Sequence, residues 1–324
     1  MRRRDLLLLF GGSAVLCPFG MAGAQSQKPV VGFLRIGSPG FPEANLPIEG
    51  LRELGHKDGQ SVVIENRWAH GDITRYPRLA RELIERSPAV IVAPCGHALR
   101  AIRDVSRTVP VVAMCADEKN FLGEVASFAR PGGYTTGVTF LAPEAVGKRL
   151  ELLKDIVAGF SRLAVLYEPD IPMDLLWREL ERLQPVLGLS YQRLPVARAE
   201  ELEAAFDALA RERAQALYVS PTELMIGARV RIAELAREHR IASVFEFANH
   251  VDAGGLLSYS ASINEWFGRS VPVYVDKILR GAKPAELPIL QPTQFELVVN
   301  LRTARAIGLE IPQSVVLRAD RVIE

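Results

Sequence analysis

The sequence predicts an α/β protein made of two doubly wound parallel-sheet lobes joined by a multi-strand hinge. Short runs rich in Val and Ile alternate with helical patterns after Lys28, the alternation repeats in a second half, and no low-complexity linker separates the halves. At 324 residues the chain is long enough for two such units, each with its own apolar core.

In the first half, Val30 to Ile36, Ser61 to Glu65, Ala89 to Ala93 and Val109 to Met114 read as buried strands. Between them, Ala98, Ala101, Ile102 and Val105 share one helix face, as do Tyr76, Leu79 and Leu83. The second half offers strands at Leu163 to Tyr167, Ser190 to Leu194, Ala216 to Val219, Ala242 to Phe245 and Leu256 to Tyr259. Val146, Leu150, Leu153 and Val157 form an apolar stripe on the helix that enters it, and Leu202, Phe206 and Leu209 form another. The halves join near Thr135 to Ala142, and the stretch from Ser262 returns helix, strand and helix between them. The lobes are therefore expected at 29–140 plus 262–290 and at 141–261 plus 291–324, facing each other across a crevice.

Lys and Arg (39) nearly balance Asp and Glu (38), so the formal charge is +1 and no overall field draws a nucleic acid or an anionic bilayer. An apolar share of 48% with 24% charge suits a globular chain. The N-terminus carries Arg2, Arg3 and Arg4, then Leu6 to Ala24 without a charge, and Ala22-Gly23-Ala24 as a cleavage site. This reads as an export signal over 1–24, of Sec or twin-arginine type, and places the mature chain in the periplasm. A retained anchor is the alternative on length, and Gly11, Gly12, Pro18 and Gly20 work against such a helix.

Ligands of parallel α/β sheets sit beyond the carboxyl ends of the strands. In the first lobe those positions are Ser38, then Cys95, Gly96 and His97, then Asp117, and near the crossover Thr139 and Phe140. In the second they are Tyr167 and Glu168, Pro221 and Thr222, Glu246, and Tyr259. Gly96 and His97 open a helix whose unpaired N–H groups favour an anion. Phe140, Tyr167 and Tyr259 offer apolar contact; Ser38, His97 and Thr222 orient polar groups; Asp117, Glu168 and Glu246 would pair with an amine. Each of these loops is also an ordinary turn on its own. Cys95 and Cys115 end neighbouring strands, where a disulfide and two buried thiols fit equally. No metal-ligand spacing, P-loop or nucleophile elbow stands out, so neither a metal, a cofactor nor catalysis is expected. The arginines 229, 231, 237 and 240 read as a solvated helix face.

Further fragments carry a resemblance. They are Ile64-Glu65-Asn66-Arg67-Trp68, Ala129-Arg130-Pro131-Gly132-Gly133 with Thr136-Gly137-Val138-Thr139, and Ala253-Gly254-Gly255-Leu256-Leu257-Ser258-Tyr259. Ile278 to Pro284, Pro292 to Asn300 and Ala306 to Pro312 continue the series. In this order, from about Pro29 to Glu324, the chain resembles the periplasmic substrate-binding proteins of ABC transporters, of the type I fold, in the branch that includes tryptophan-type amino-acid binders. The resemblance implies hinge closure on a small organic ligand, such as an amino acid or an aromatic or carboxylate compound. It also implies a partnership with a membrane permease and its ATPase; a monomer is expected. Relatives commonly carry a Gly-Thr-Pro loop at Pro94 to His97, a Gly-Asp-Pro-like loop at Cys115 to Glu118, and Asn-Pro at Glu168-Pro169. These departures keep the family's ligand from being carried over and leave room for a more cationic one. A sensor module feeding a separate receptor shares the same pattern, and a cryptic hydrolase would need Ser38 as its nucleophile.

Overall fold

A computed structural model describes residues 28–324, apart from 36, 38, 40, 41, 71, 95, 115–124, 140–142, 170 and 172. The expected export signal, and Ser38, Cys95, Cys115, Asp117 and Phe140, lie outside the described residues.

The chain opens with β1 (Val30–Arg35), α1 (Leu46–Glu53), β2 (Val63–Trp68), α2 (Tyr76–Glu85), β3 (Val90–Ala93), α3 (Gly96–Val105), β4 (Val111–Ala113) and β5 (Thr135–Gly137). All pairings are parallel, in the order β2-β1-β3-β4-β5. β1, β3 and β4 read as continuous apolar runs because helices cover both faces of the sheet. On one face Tyr76, Leu79 and Leu83 of α2 and Ala98, Ala101 and Ile102 of α3 are buried against Ile91 and Val111, as their spacing predicts.

The second unit comprises α4 (Pro143–Ile156), β6 (Arg162–Tyr167), α5 (Asp174–Leu187), β7 (Ser190–Pro195), α6 (Leu202–Arg211), β8 (Ala216–Val219), α7 (Glu223–Gly227), α8 (Arg229–Glu238), β9 (Ala242–Phe245), α9 (Ala248–Asp252) and β10 (Leu257–Ser260). Leu150 and Leu153 of α4 and Leu176 and Leu180 of α5 fill one side of its sheet, and Leu202, Phe206 and Leu209 of α6 fill the other. Arg231, on the solvated face of α8, bridges Glu203, Glu234 and Glu238.

After β10 the chain returns to the first sheet as α10 (Val271–Leu279), whose Val271, Tyr274, Val275 and Ile278 cover that sheet's second face beside Leu51. The His56 Nε2 lies 2.7 Å from Asp276 Oδ1 and pins α10 to the loop after α1. Gly50 allows the close fit: a Cβ there would lie 2.0 Å from the Gly268 carbonyl oxygen and 2.6 Å from Pro272 Cγ. The chain then passes back into β11 (Glu296–Asn300), α11 (Leu301–Ile307), α12 (Gln313–Val316) and β12 (Arg321–Ile323). The second sheet thus has the order β12-β11-β10-β9-β8-β6-β7.

Two details extend the expected architecture. The second sheet is mostly parallel, and β11 runs antiparallel to β10 where the chain re-enters it from the first sheet. Thr135 to Gly137, where the expected join begins, form β5, the edge of the first sheet. There Val138 bridges Leu290, with the Leu290 N–H donating to Gly137 O (3.0 Å) and the Thr139 N–H to Leu290 O (2.9 Å). Two crossing segments therefore pair with each other. Gly137 fits because its φ of +146° and the nearby Ala113 carbonyl, 2.1 Å from an added Cβ, exclude side chains.

Gly50→Ala is expected to destabilise the fold by about 1–3 kcal/mol, since its methyl meets backbone and a proline ring. Urea denaturation followed by circular dichroism measures this; an unchanged midpoint would show that the returning helix does not press on α1.

Candidate functional site

In a doubly wound sheet the crevice opens where the strand order reverses, outside the carboxyl ends of the two strands concerned. The first sheet reverses between β1 and β3, the second between β6 and β8. The loops leaving these four strands hold the 3₁₀ turn Pro42–Asn45, Pro94 to His97, Tyr167 and Glu168, and Ser220 to Thr222. The two edges meet: Asn249, in the first turn of α9, donates from Nδ2 to Glu43 Oε1 at 2.8 Å. Residues 206 apart in sequence close the gap between the sheets.

On the first edge Arg35 is buried at the end of β1, its guanidinium 4.5 Å from the Phe33 ring centre and 5.1 Å from that of Trp68. Its Nε donates to Asn66 Oδ1 (2.8 Å), which fixes the fork against β2. Gly96 is buried at the start of α3, and His97 beside it is half-buried. Thr139 is buried, held by the crossover pairing.

The second edge is organised by Arg149 of α4, only 4% exposed. Its Nε donates to Tyr259 O (2.8 Å), and its Nη1 donates to Tyr218 Oη (2.7 Å) and Glu246 Oε1 (2.8 Å). Burial opposes the charge on Arg149, yet Glu246 and Tyr218 outweigh it and hold its pKa above the usual value. Burial also pushes the Tyr218 phenol well up, and it stays protonated. Glu246, expected to pair with an amine, thus already has a cation from the protein. Tyr259 stacks on Phe295 with ring centres 5.3 Å apart, and Tyr167 sits edge-on to Trp177 at 4.9 Å, so each ring has a protein neighbour. Glu168 and Pro221 are half-buried at the same edge.

Ser220 and Thr222, which follow β8, are buried, and their hydroxyls have no hydrogen-bond partner among the described residues. Glu43 Oε2 shares that condition. Buried polar atoms without partners are rare in folded proteins, and these three stand at the two edges that the Asn249 to Glu43 bond joins. Behind them His250 is buried, its ring stacked on Phe245 at 4.7 Å and its Nδ1 3.1 Å from Asn249 Oδ1. Burial pushes its pKa down to about 4, with Arg229 adding to the effect and the Met225 and Phe247 carbonyls opposing it. The ring is neutral at pH 7.

Thr222, Pro221, Glu246, Tyr259, Tyr167, Glu168, Gly96, His97 and Thr139 therefore all stand at carboxyl edges, as the strand pattern predicts. Sequence reasoning missed Glu43, Asn249 and Arg149, which the structure places at these edges. Glu43 and Asn249 stand a few residues beyond their strands, on the first turns of the helices that follow. Extending the search by one turn finds both. Nothing in spacing signals Arg149, which lies within the stripe of α4. Among the described residues no group of His, Cys, Asp or Glu is arranged to hold a metal, and no helix is long and apolar enough to cross a membrane.

Two mostly parallel doubly wound sheets, with paired crossing segments and facing carboxyl edges, define the type I periplasmic-binding fold. The chain resembles a conserved domain protein of Vibrio cholerae, with a TM-score of 0.81 at 21% identity over 91% of this chain and 100% of that one. It resembles to the same degree a Streptococcus pneumoniae ABC domain in complex with L-Trp, with a TM-score of 0.80 at 22% identity over 92% and 100%. A tyrosine-binding protein of Clostridioides difficile is 19% identical over 264 residues, which span 81% of this chain and 75% of that protein. Residues 46–323 match the family described as ABC transporter substrate binding protein, and the chain belongs to that family.

Two outcomes follow from the charges. Arg149→Met is expected to destabilise by about 3 kcal/mol, because it strands the Glu246 carboxylate and the Tyr218 phenol; thermal denaturation measures it. A His250 pKa near 4, against 6.5 for the free side chain, is worth about 3 kcal/mol above pH 6.5, lost as the pH falls toward 4, where the unfolded chain takes the proton first. Urea midpoints at pH 7 and pH 4.5 are expected to differ less in His250→Gln than in the wild type.

Proposed function

We propose that the chain is the solute-binding component of an ABC importer. Exported to the periplasm, it takes a small organic molecule between two lobes, 29–140 with 262–290 and 141–261 with 291–324, and hands it to a permease and its ATPase. The protein acts as a monomer and carries out no chemistry on its ligand. The observation that carries this reading is the set of buried, unpartnered polar atoms, Glu43 Oε2, Ser220 Oγ and Thr222 Oγ1, on facing edges already joined by the Asn249 to Glu43 hydrogen bond.

Membership of a transporter substrate-binding family supports the transport role. The ligands named for two relatives, tryptophan and tyrosine, make aromatic amino acids the first solutes to try. Arg35, lying between the Phe33 and Trp68 rings at the first edge, and the Tyr167 and Tyr259 rings at the second suit a ligand with an apolar body and polar ends. Closure follows from contacts on both sides: a solute shifts the open and closed populations only by its difference in affinity for the two.

A thermal-shift screen of the chain from Gln25, against amino acids, aromatic acids, sugars and polyamines, tests the proposal. A concentration-dependent rise of the midpoint with at least one solute is expected, because a ligand of the folded form alone stabilises it. Thr222→Ala is expected to weaken that solute about tenfold, or about 1.4 kcal/mol, by isothermal titration calorimetry. No shift with any solute at millimolar concentration would contradict the proposal.

A further inference from the structure

We infer that Glu43 selects the solute, by receiving a protonated amine of that solute on its Oε2 atom. The inference rests on the proposed solute-binding role and adds a ligand class and a residue to it.

Glu43, Glu168 and Glu246 all stand at the facing edges, and the structure treats Glu43 and Glu246 differently. Glu246 is met by the Arg149 guanidinium at 2.8 Å, so its charge is balanced within the protein. Glu43 forms no ion pair among the described residues; the bond it does make, to the Asn249 amide at 2.8 Å, satisfies one oxygen without supplying a positive charge. Its Oε2 is shielded from water and has no hydrogen-bond partner among the described residues. A carboxylate withdrawn from water is stable only when a cation or further donors replace the lost hydration. An ammonium group supplies both, with three donors around one charge.

The location fits that use. Glu43 lies on the first turn after β1, at the point where the first sheet reverses its strand order. Its anchor, Asn249, belongs to the other sheet's edge and is itself held by His250 Nδ1 at 3.1 Å. The carboxylate is thereby oriented only while the two edges are together. An amine bound there joins a contact that already spans the gap, so recognition of the charge and closure coincide. The Ser220 and Thr222 hydroxyls, buried and also unpartnered among the described residues, remain for another polar end of the solute.

The test compares each amine with its counterpart lacking nitrogen. Isothermal titration calorimetry at pH 7 is run with L-tyrosine and 3-(4-hydroxyphenyl)propionate, and with L-tryptophan and indole-3-propionate, on the wild type, Glu43→Gln and Asn249→Ala. Circular dichroism confirms that each variant is folded. The wild type is expected to bind the amine-bearing member of at least one pair ten times tighter or more. Glu43→Gln, which keeps an oxygen for Asn249 but has no charge, is expected to lose that preference. Asn249→Ala, which keeps the charge, is expected to weaken both members while preserving the preference. If Glu43→Gln retains the preference, or if the wild type binds both members equally, the inference fails and the solute-binding role stands. If the wild type binds no member of either pair, this inference fails, and the thermal-shift screen then decides the broader role separately.

Discussion

A guanidinium that is almost wholly removed from water has to find its partners inside the protein, and Arg149 finds them on two strands and in the loop after a third. Its bonds to the Tyr218 phenol, the Glu246 carboxylate and the Tyr259 carbonyl tie α4 to β8, to the loop after β9 and to the end of β10. α4 is the first element after the chain leaves the first sheet, and β10 is the last before it goes back. The cluster therefore fixes the second edge at the two points where the chain enters and leaves. It also neutralises Glu246, one of the three carboxylates expected from the sequence to receive a cation.

Beyond that edge the chain runs between the two sheets in crossing segments. Val138 and Leu290 pair backbone to backbone, and the segment of Leu290 runs on to Phe295, whose ring rests on Tyr259. Among the described residues, the side-chain hydrogen bond from Asn249 to Glu43 joins the two edges. One hydrogen bond contributes about 1 kcal/mol net, far less than either core, so in the proposed role a solute that adds contacts at both edges shifts the balance of open and closed forms.

Much of this was legible in the sequence. Runs such as Val90–Ala93 and Ala242–Phe245 announce buried parallel strands because both faces are covered, and stripes such as Tyr76, Leu79 and Leu83 announce the helices that cover them. The carboxyl-edge rule then picked Thr222 and Glu246 from their positions alone. The short strand Thr135–Gly137 escaped because two threonines and a glycine carry no apolar signal; it is specified by pairing with β4. β12 escaped because its three residues are half-buried at a sheet edge. The partnership of Arg149 with Glu246, 97 residues away, and of Asn249 with Glu43 are tertiary facts that no local pattern encodes. They also set the acidic residues apart: Glu246 is matched internally, and Glu43, which lies outside the expected loops, keeps one buried oxygen without a hydrogen-bond partner among the described residues.

Hydrogen–deuterium exchange with and without saturating L-tyrosine or L-tryptophan addresses the central claim most directly, because it reports both edges in one experiment. The account predicts slowed exchange at 42–45 on the first edge and at 220–226 and 248–252 on the second, appearing together at the same solute concentration. Protection confined to one edge, or appearing only at the opposite pole around 209–215 and 239–242, would contradict a solute held between the two sheets.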